Sequence, residues 1–593
     1  MEAETGRRWR EPALVATILL VAALLRLVRL EDNGVGTAYY AAGVRSMLQG
    51  AGLFFYNAFD PAGFVSLDKP PVAFWIQTAF AGLLGFSGWT IHLPQALAGI
   101  VSVALLYRLV RRPFGVPAAA AAALLLAVTP IEVAVDRSNN TDSWLVLALL
   151  LAATAALRGR GLSLVIAMAL LGLAFNVKML AALVCGPALL LGWLLASPPA
   201  RGWFEWRRRL GWMAAAAATL VVVSLAWPVA YDLTPKDRRP YAGSSKSNSM
   251  LELIVVHNGL ERFVKPERPA GAPAPAALPF ELHDAVPTGP LRLATPTLAA
   301  QVGWFAPLAL LGALYGWRRR PAAIALWSAW AVAYGIVFSA AGGIFHAYYL
   351  SALAPPLAAL AGIGGFELWR RGPAHLAAGL VVAALGQAWI GGASLGWTEP
   401  WLAAPGFALL VAAALLWRAR RPWAVLGGAA LLVLPTAWAL SAIFSPGNLT
   451  LPSASLPRWL GRDDGRGPIL SREFRALTDD PKLHAFLLER RGGARFLLAT
   501  PNALLAAPVI VATGQPAMAF GGYFGTDPVI SVEDFAKAVA RGEVRYAALP
   551  TNRRARAFDR WVQQNGKPVD PALWRSLPVE PRRGLVLYEL ASR

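Results

Sequence analysis

Cysteine and charge are both scarce in this chain. The single cysteine, Cys185, lies inside an apolar run, so no internal disulfide is available. Charged residues fill 15% of the 593 positions, where a soluble protein would carry about a quarter. Lysine is rarer still. Only eight of the 55 basic residues are lysine, and the first 230 positions hold just Lys69 and Lys178. HExxH and Walker sequences are absent, and no residue set has zinc-ligand spacing. That argues against a zinc protease and an ATPase. No internal repeat is visible.

What fills the space is apolar: 56% of residues are hydrophobic, with a mean hydropathy of +0.48. Apolar runs recur until about residue 444, which defines a polytopic α-helical membrane protein. The first run, 13–30, follows Arg7, Arg8 and Arg10 and is closed by Arg26 and Arg29 with no small-residue cleavage site, so it is expected to stay as a first span. Thirteen crossings are expected, near 12–30, 91–110, 117–135, 143–157, 162–177, 179–198, 210–230, 302–317, 322–340, 349–368, 374–393, 402–417 and 422–444.

A net charge of +21 invites a nucleic-acid reading, but the basic clusters, such as Arg207–Arg209 and Arg318–Arg320, sit in short loops between apolar runs. The positive-inside rule predicts that placement, and no nucleic acid is expected as a partner. It puts the N-terminus in the cytoplasm and loops 31–90 and 231–301, with everything after 445, outside. Every aspartate then falls on the outer side, together with Lys69 and Lys178. Acids gathered on one face beside the few lysines point to chemistry there. A compact ammonium used where the chain elsewhere prefers arginine suits a phosphate-directed point charge; codon bias with two surviving lysines would look the same.

Within FDPAGFVSLDKPPVAFW (59–75), Asp60, Asp68 and Lys69 lie between hydrophobic segments, and Pro70 and Pro71 follow. Proline is tolerated in a first helical turn and pushes the preceding residue to an extended conformation. Asp68 and Lys69 are therefore expected at the mouth of a partly inserted apolar helix over 71–86; an ordinary surface ion pair is the alternative. VDRSNNTDSW (133–144) offers Asn139, Asn140 and Asp142 as donors and acceptors for sugar hydroxyls or a phosphate edge, or as a plain outer hairpin. FNVKML places Asn176 and Lys178, and GGIFHAYYL places His346 and two tyrosines, Tyr348 and Tyr349, at the outer ends of other spans. Ionisable groups at membrane edges are functional candidates by default. In the loop 231–301, the run 250–263 reads as a helix with His257 and Glu261 on one face, followed by a Pro/Ala-rich flap over 266–279.

The tail from about 451 reads as a small soluble α/β domain, with ARFLLAT, APVIVAT, PAMAF, VRYAALP and LVLYEL as strands. Ser531 with Asp534 caps a helix to about Arg541, and Asn552 is a candidate start for another. GGYFGTDP (521–528) lacks nucleotide-loop spacing and reads as a tight turn.

Taken together, YYAAGVRSMLQ (39–49), FFYNAFDPAGFVSLDKPPVAFWIQ (54–77), GWTIHLPQALAG, DRSNNTDSW, FNVKML, DLTPKDRRPYAGSSKSNS and HNGLERF resemble one family over almost the whole chain. The chain resembles type C membrane glycosyltransferases of the dolichyl-phosphate-mannose–protein mannosyltransferase group (glycosyltransferase family 39), which includes the aminoarabinose transferases, and within it the YkcA/YkcB-type mannosyltransferases. The resemblance implies a transferase domain over 1–445 and an extracytoplasmic α/β domain over 446–593. It implies a polyprenyl-phosphate sugar donor (mannose or a related hexose or pentose), a lipid, glycan or protein acceptor hydroxyl on the outer face of a bacterial plasma membrane, and inversion at the sugar carbon. No cofactor is firmly implied, and a divalent metal is allowed.

By that resemblance Asp68-Lys69-Pro70 matches the family's acidic-Lys-Pro element, and Asp142 and Lys178 match an Asp and a Lys at corresponding span ends. Asp68, then Asp60, then Asp32, are the candidate bases. Lys69, Asn139, Asn140, Asp142, Asn176, Lys178, His257, Arg262, His346 and Tyr348 are the candidate substrate ligands. Aminoarabinose relatives carry an Asp-Glu pair where this chain has Gly36 and Thr37, which leaves the base to another acid or alters the activity. A transporter or lipid-linked-sugar flippase is the competing class; it would place polar residues at mid-membrane and show repeats. An inactive binding scaffold is the third reading.

Overall fold

The computed structural model describes residues 2–263, 286–397, 404–415, 422–462, 479–551, 556–576 and 584–590. The chain divides into two compact units. One comprises Met1–Asn33, His92–Ser224 and Glu261–Gly467; the other comprises Gly34–Ile91, Leu225–Leu260 and Pro468–Arg593.

The first unit is a helical bundle. Among the described residues nine helices are long and apolar enough to cross a membrane, ten if the bent pair Val116–Ala127 and Pro130–Asp136 counts as one span. The other expected crossings coincide with shorter helices, Asp142–Ala156, Leu180–Ala196 and Ala404–Leu415. Close packing comes from small residues, as expected where lipid removes the hydrophobic drive between helices. Helix Ala306–Gly316 lies so near Ala354–Arg371 that a Cβ at Gly312 would fall on the Leu360 carbonyl.

The 58° bend between Ala127 and Pro130 frees backbone carbonyls, and two buried arginines take up such groups. Arg26 Nη1 donates to the Ala127 carbonyl at 3.1 Å while its Nε meets Asp136 at 2.7 Å. Arg137 donates to the carbonyls of Arg26, Val28 and Arg29 at 2.8–3.1 Å. It thereby caps the end of helix Glu2–Leu27, whose last carbonyls have no partner within the helix.

The second unit contains a five-stranded sheet in the order β2-β1-β3-β5-β4. Its strands are β1 Leu498–Thr500, β2 Ala517–Ala519, β3 Tyr546–Pro550, β4 Gly566–Pro568 and β5 Leu585–Leu590. β1 runs parallel to both β2 and β3, with Ala499 opposite Met518 and Ala547; β5 is antiparallel to β3 and β4. The core is shared: Leu498, Leu505 and Ile510 pack in one cluster with Tyr39, Phe59, Leu67 and Phe74. Helix Ala38–Met47 and the segment leading to helix Val72–Leu84 thus belong to the same compact body as the sheet. Gln49 donates to the Gly514 carbonyl at 2.9 Å, and Arg495 to that of Ala62 at 2.9 Å.

Two expectations are corrected. APVIVAT is not a strand but the body of helix Ala503–Thr513, started by Asn502, which accepts from the Leu505 N–H at 3.0 Å, and stopped by Gly514 at φ 68°. A short apolar run does not separate a buried strand from a buried helix by period alone. Residues 250–263 are also not one helix: α-helix Met250–Glu252 passes into a π-turn Leu253–His257 and then a 3₁₀ turn Leu260–Arg262. The four-residue spacing of His257 and Glu261 therefore does not put them on one helical face. Ser531 caps helix Val532–Ala540 as expected. The flap 266–279 and Asn552 lie outside the described residues.

Candidate active site

Chemistry-bearing residues collect in two places, one in each unit. In the bundle, Asp142 is the first residue of helix Asp142–Ala156 and Lys178 the last of helix Gly161–Lys178. An anion at a helix N-terminus and a cation at a helix C-terminus each complement the macrodipole. The two side chains form an ion pair, 1% and 11% exposed respectively. Met179, at φ 50°, breaks the chain immediately afterwards, so Lys178 stands at a fixed end. Its ammonium lies 4.8 Å and 4.4 Å from the ring centres of Tyr348 and Tyr349. Arg262 donates to the Tyr349 hydroxyl at 2.8 Å, His346 stacks on Tyr348, and Ser351 reaches Asp142 at 3.4 Å.

This gathers Asp142, Lys178, Arg262, His346 and Tyr348 from four stretches of sequence. Tyr349, the second tyrosine of GGIFHAYYL, belongs with them, as does Ser351, which the sequence does not single out. Asn140 accepts from the Thr141 N–H and donates to the Thr450 carbonyl, and Asn139 is fully buried beside it. Asn176 has other partners. Its amide donates to the carbonyls of Gly172, Val223 and Ser224, tying two helices together.

In the second unit, Asp68 and Lys69 form an ion pair at 2.6 Å, with side chains 7% and 12% exposed. The Asp68 N–H donates to the Tyr39 hydroxyl at 3.1 Å, and Tyr39 packs on Phe59 and, at 4.6 Å between centres, on Tyr523 of the GGYFG turn. Burial, then the Asp68 charge, holds the Tyr39 phenol well above its ordinary range, so it stays protonated at neutral pH. Pro71 precedes helix Val72–Leu84, so the pair stands just ahead of an apolar helix.

Asp60 is employed differently. Its carboxylate accepts from the N–H groups of Ala62, Phe64 and Val65 at 2.9, 3.0 and 3.1 Å, inside a tight loop closed by Phe59 N–H to the Val65 carbonyl. Burial raises its pKa to about 6 against the pull of those donors. Asp32 is an exposed partner of Arg29 at 2.5 Å. Where relatives were expected to carry an Asp-Glu pair, Gly36 sits at φ 64°, a conformation that favours glycine. His257, half-buried, closes the π-turn. Among the described residues no group of three or more His, Cys, Asp or Glu side chains could hold a metal ion.

A bundle of apolar helices joined in sequence to a small α/β layer is the fold of the type C membrane glycosyltransferases. ArnT from Cupriavidus metallidurans has this fold: its apo structure superposes with a TM-score of 0.57 at 18% identity, covering 100% of this chain and 99% of that one. The dolichyl-phosphate-mannose-protein mannosyltransferase family matches residues 68–227, and the C-terminal region of the YkcB-like mannosyltransferases matches 483–565. Two proteins of Bacillus subtilis (strain 168) are similar over nearly full length. "Putative mannosyltransferase YycA" is 34% identical over 94% of both chains, and "Putative mannosyltransferase YkcB" is 32% identical over 94% of this chain and 92% of its own. The chain belongs to this mannosyltransferase family and is a multi-pass membrane enzyme.

Proposed function

We propose that the protein moves a sugar, mannose or a close relative, from a polyprenyl-phosphate carrier to an acceptor hydroxyl at the outer face of a bacterial plasma membrane, with inversion. The observation that carries this reading is the Asp142–Lys178 pair: an ammonium fixed at a helix end, floored by Tyr348 and Tyr349, with Arg262 on the same ring. Such a charge suits the phosphate oxygen that gains an electron pair when its bond to the sugar breaks. A second structure of ArnT from Cupriavidus metallidurans, with a TM-score of 0.58, is bound to undecaprenyl phosphate, which supports the same class of carrier here.

In this reading Asp68 takes the proton of the acceptor hydroxyl. The acceptor oxygen bonds to the anomeric carbon, the carbon–oxygen bond to phosphate breaks, and the phosphate leaves with the electron pair. Lys69, paired with Asp68, and Lys178 are separate candidates for the positive charge that meets phosphate. Asp60 is the weaker candidate because three backbone donors already occupy its carboxylate.

The test is transfer of radiolabelled sugar from polyprenyl-phosphate mannose by purified protein. Asp68→Asn should lower turnover by about 10²–10⁴-fold with donor binding little changed. Lys178→Ala should weaken donor binding by about 1–3 kcal/mol, the scale of a hydrogen bond to a charged group. Movement of intact donor across vesicles without transfer would replace the enzyme reading by a carrier. Loss of donor binding in Asp68→Asn with turnover intact would make Asp68 a ligand and return Asp60 to consideration.

A further inference from the structure

Helix Asp142–Ala156 carries the ion-paired Asp142 at its first residue. Past its other end, about 22 Å away at 1.5 Å per residue, comes Arg158. There the bundle holds a second feature, a cavity of about 640 Å³. Arg108, Arg112, Arg158, Arg319 and Arg320 line it, and side chains such as Leu109 supply an apolar floor.

The acids nearby are already engaged. Glu367 takes Arg319 at 2.8 Å, and Glu11 pairs with Arg111, outside the cavity. Arg320 donates to the Pro113 carbonyl at 3.3 Å. The side chains of Arg108, Arg112 and Arg158 make no ion pair or hydrogen bond among the described residues. Arg108 and Arg112 also stand four apart on one helix, where like charges repel. The positive-inside bias explains arginine at this end of the bundle. It does not explain why three arginines that have no counter-ion among the described residues converge on one hollow.

We infer that this cavity binds the anionic headgroup of a membrane phospholipid. The phosphate lies against Arg108, Arg112 and Arg158, and the first acyl carbons rest on the apolar floor. Guanidinium groups present paired donors that match phosphate geometry, and basic pockets between membrane helices recognise lipid headgroups in this way. Free inorganic phosphate shares the charge but leaves the floor unused. The inference rests on the membrane fold and is independent of the donor and base assignments.

The test compares two double variants with equal loss of charge, Arg108→Gln/Arg112→Gln at the cavity and Arg207→Gln/Arg208→Gln on another helix. Each is purified from mixed phosphatidylglycerol and phosphatidylcholine, and retained lipid is counted by native mass spectrometry. Wild type should retain phosphatidylglycerol preferentially. That preference should fall about fivefold per cavity arginine, roughly 25-fold for the cavity pair, and hold in the control pair. If the cavity pair does not fold, Arg158→Gln should show the fivefold loss alone. Equal losses in both pairs, or no preference in wild type, would overturn the inference. So would displacement of the lipid by inorganic phosphate, which would mark a free-anion site.

Discussion

Asp60 and Asp68 lie eight positions apart in one loop and are placed in opposite circumstances. Asp60 is fully buried and holds the loop from within; Asp68 meets a lysine and keeps a sliver of exposure. Because burial raises the folded pKa of Asp60 from the ordinary 3.8 of a free carboxyl to about 6, the folded state binds its proton more tightly than the unfolded chain. Its contribution to stability is therefore greatest below about pH 4 and declines as pH rises through 6, then is flat. Asp60→Asn should remove that slope. It should also cost about 1–3 kcal/mol, because an amide replaces one oxygen and leaves a buried backbone N–H without its acceptor. Thermal melts of the variant and wild type between pH 4 and 8 check both points. An unchanged slope would show that another group titrates in this window.

At the scale of elements, the helices of the bundle were legible as apolar runs, since length and hydropathy alone mark them. Their contacts were not. Arg26 and Asp136 are 110 positions apart, and nothing local in either run announces the pair. The Asp142–Lys178 site is legible as two polar residues at span ends, and Tyr348 and Tyr349 as two tyrosines at another; Ser351 is not, because a serine at a helix start is ordinary. Strand β4, the three residues Gly566–Pro568, has no apolar pattern to read. The glycine contacts give a direct test of packing. Gly312→Ala should destabilise the bundle by about 1–3 kcal/mol, since the new methyl has no space against the Leu360 carbonyl. Gly365→Ala, where a Cβ meets nothing within 4 Å, should be neutral or slightly stabilising. Thermal unfolding in detergent separates them, and equal melting of the two variants would mean that the helices part at no cost.

For the whole molecule, the sequence carried a helical membrane part and an α/β tail, but not the company the tail keeps. Gln49 meets Gly514 across 465 positions of sequence, and the Tyr39 ring meets Tyr523 of the tail. The loop that carries Asp68 is thus built into the same compact body as the sheet, so the side of the membrane that holds one must hold the other. We propose from the arginine placement that this side is the outer one. Glu533, whose side chain is 79% exposed on helix Val532–Ala540, is a suitable reporter. In a Cys185→Ala background, Glu533→Cys should react with a membrane-impermeant maleimide in intact cells lacking an outer-membrane barrier. Cys185 itself is buried, so its replacement removes only background. Labelling confined to lysed cells would put the tail, and Asp68 with it, in the cytoplasm. Sugar transfer would then take place on the inner face, and the orientation read from arginine would have to be reversed.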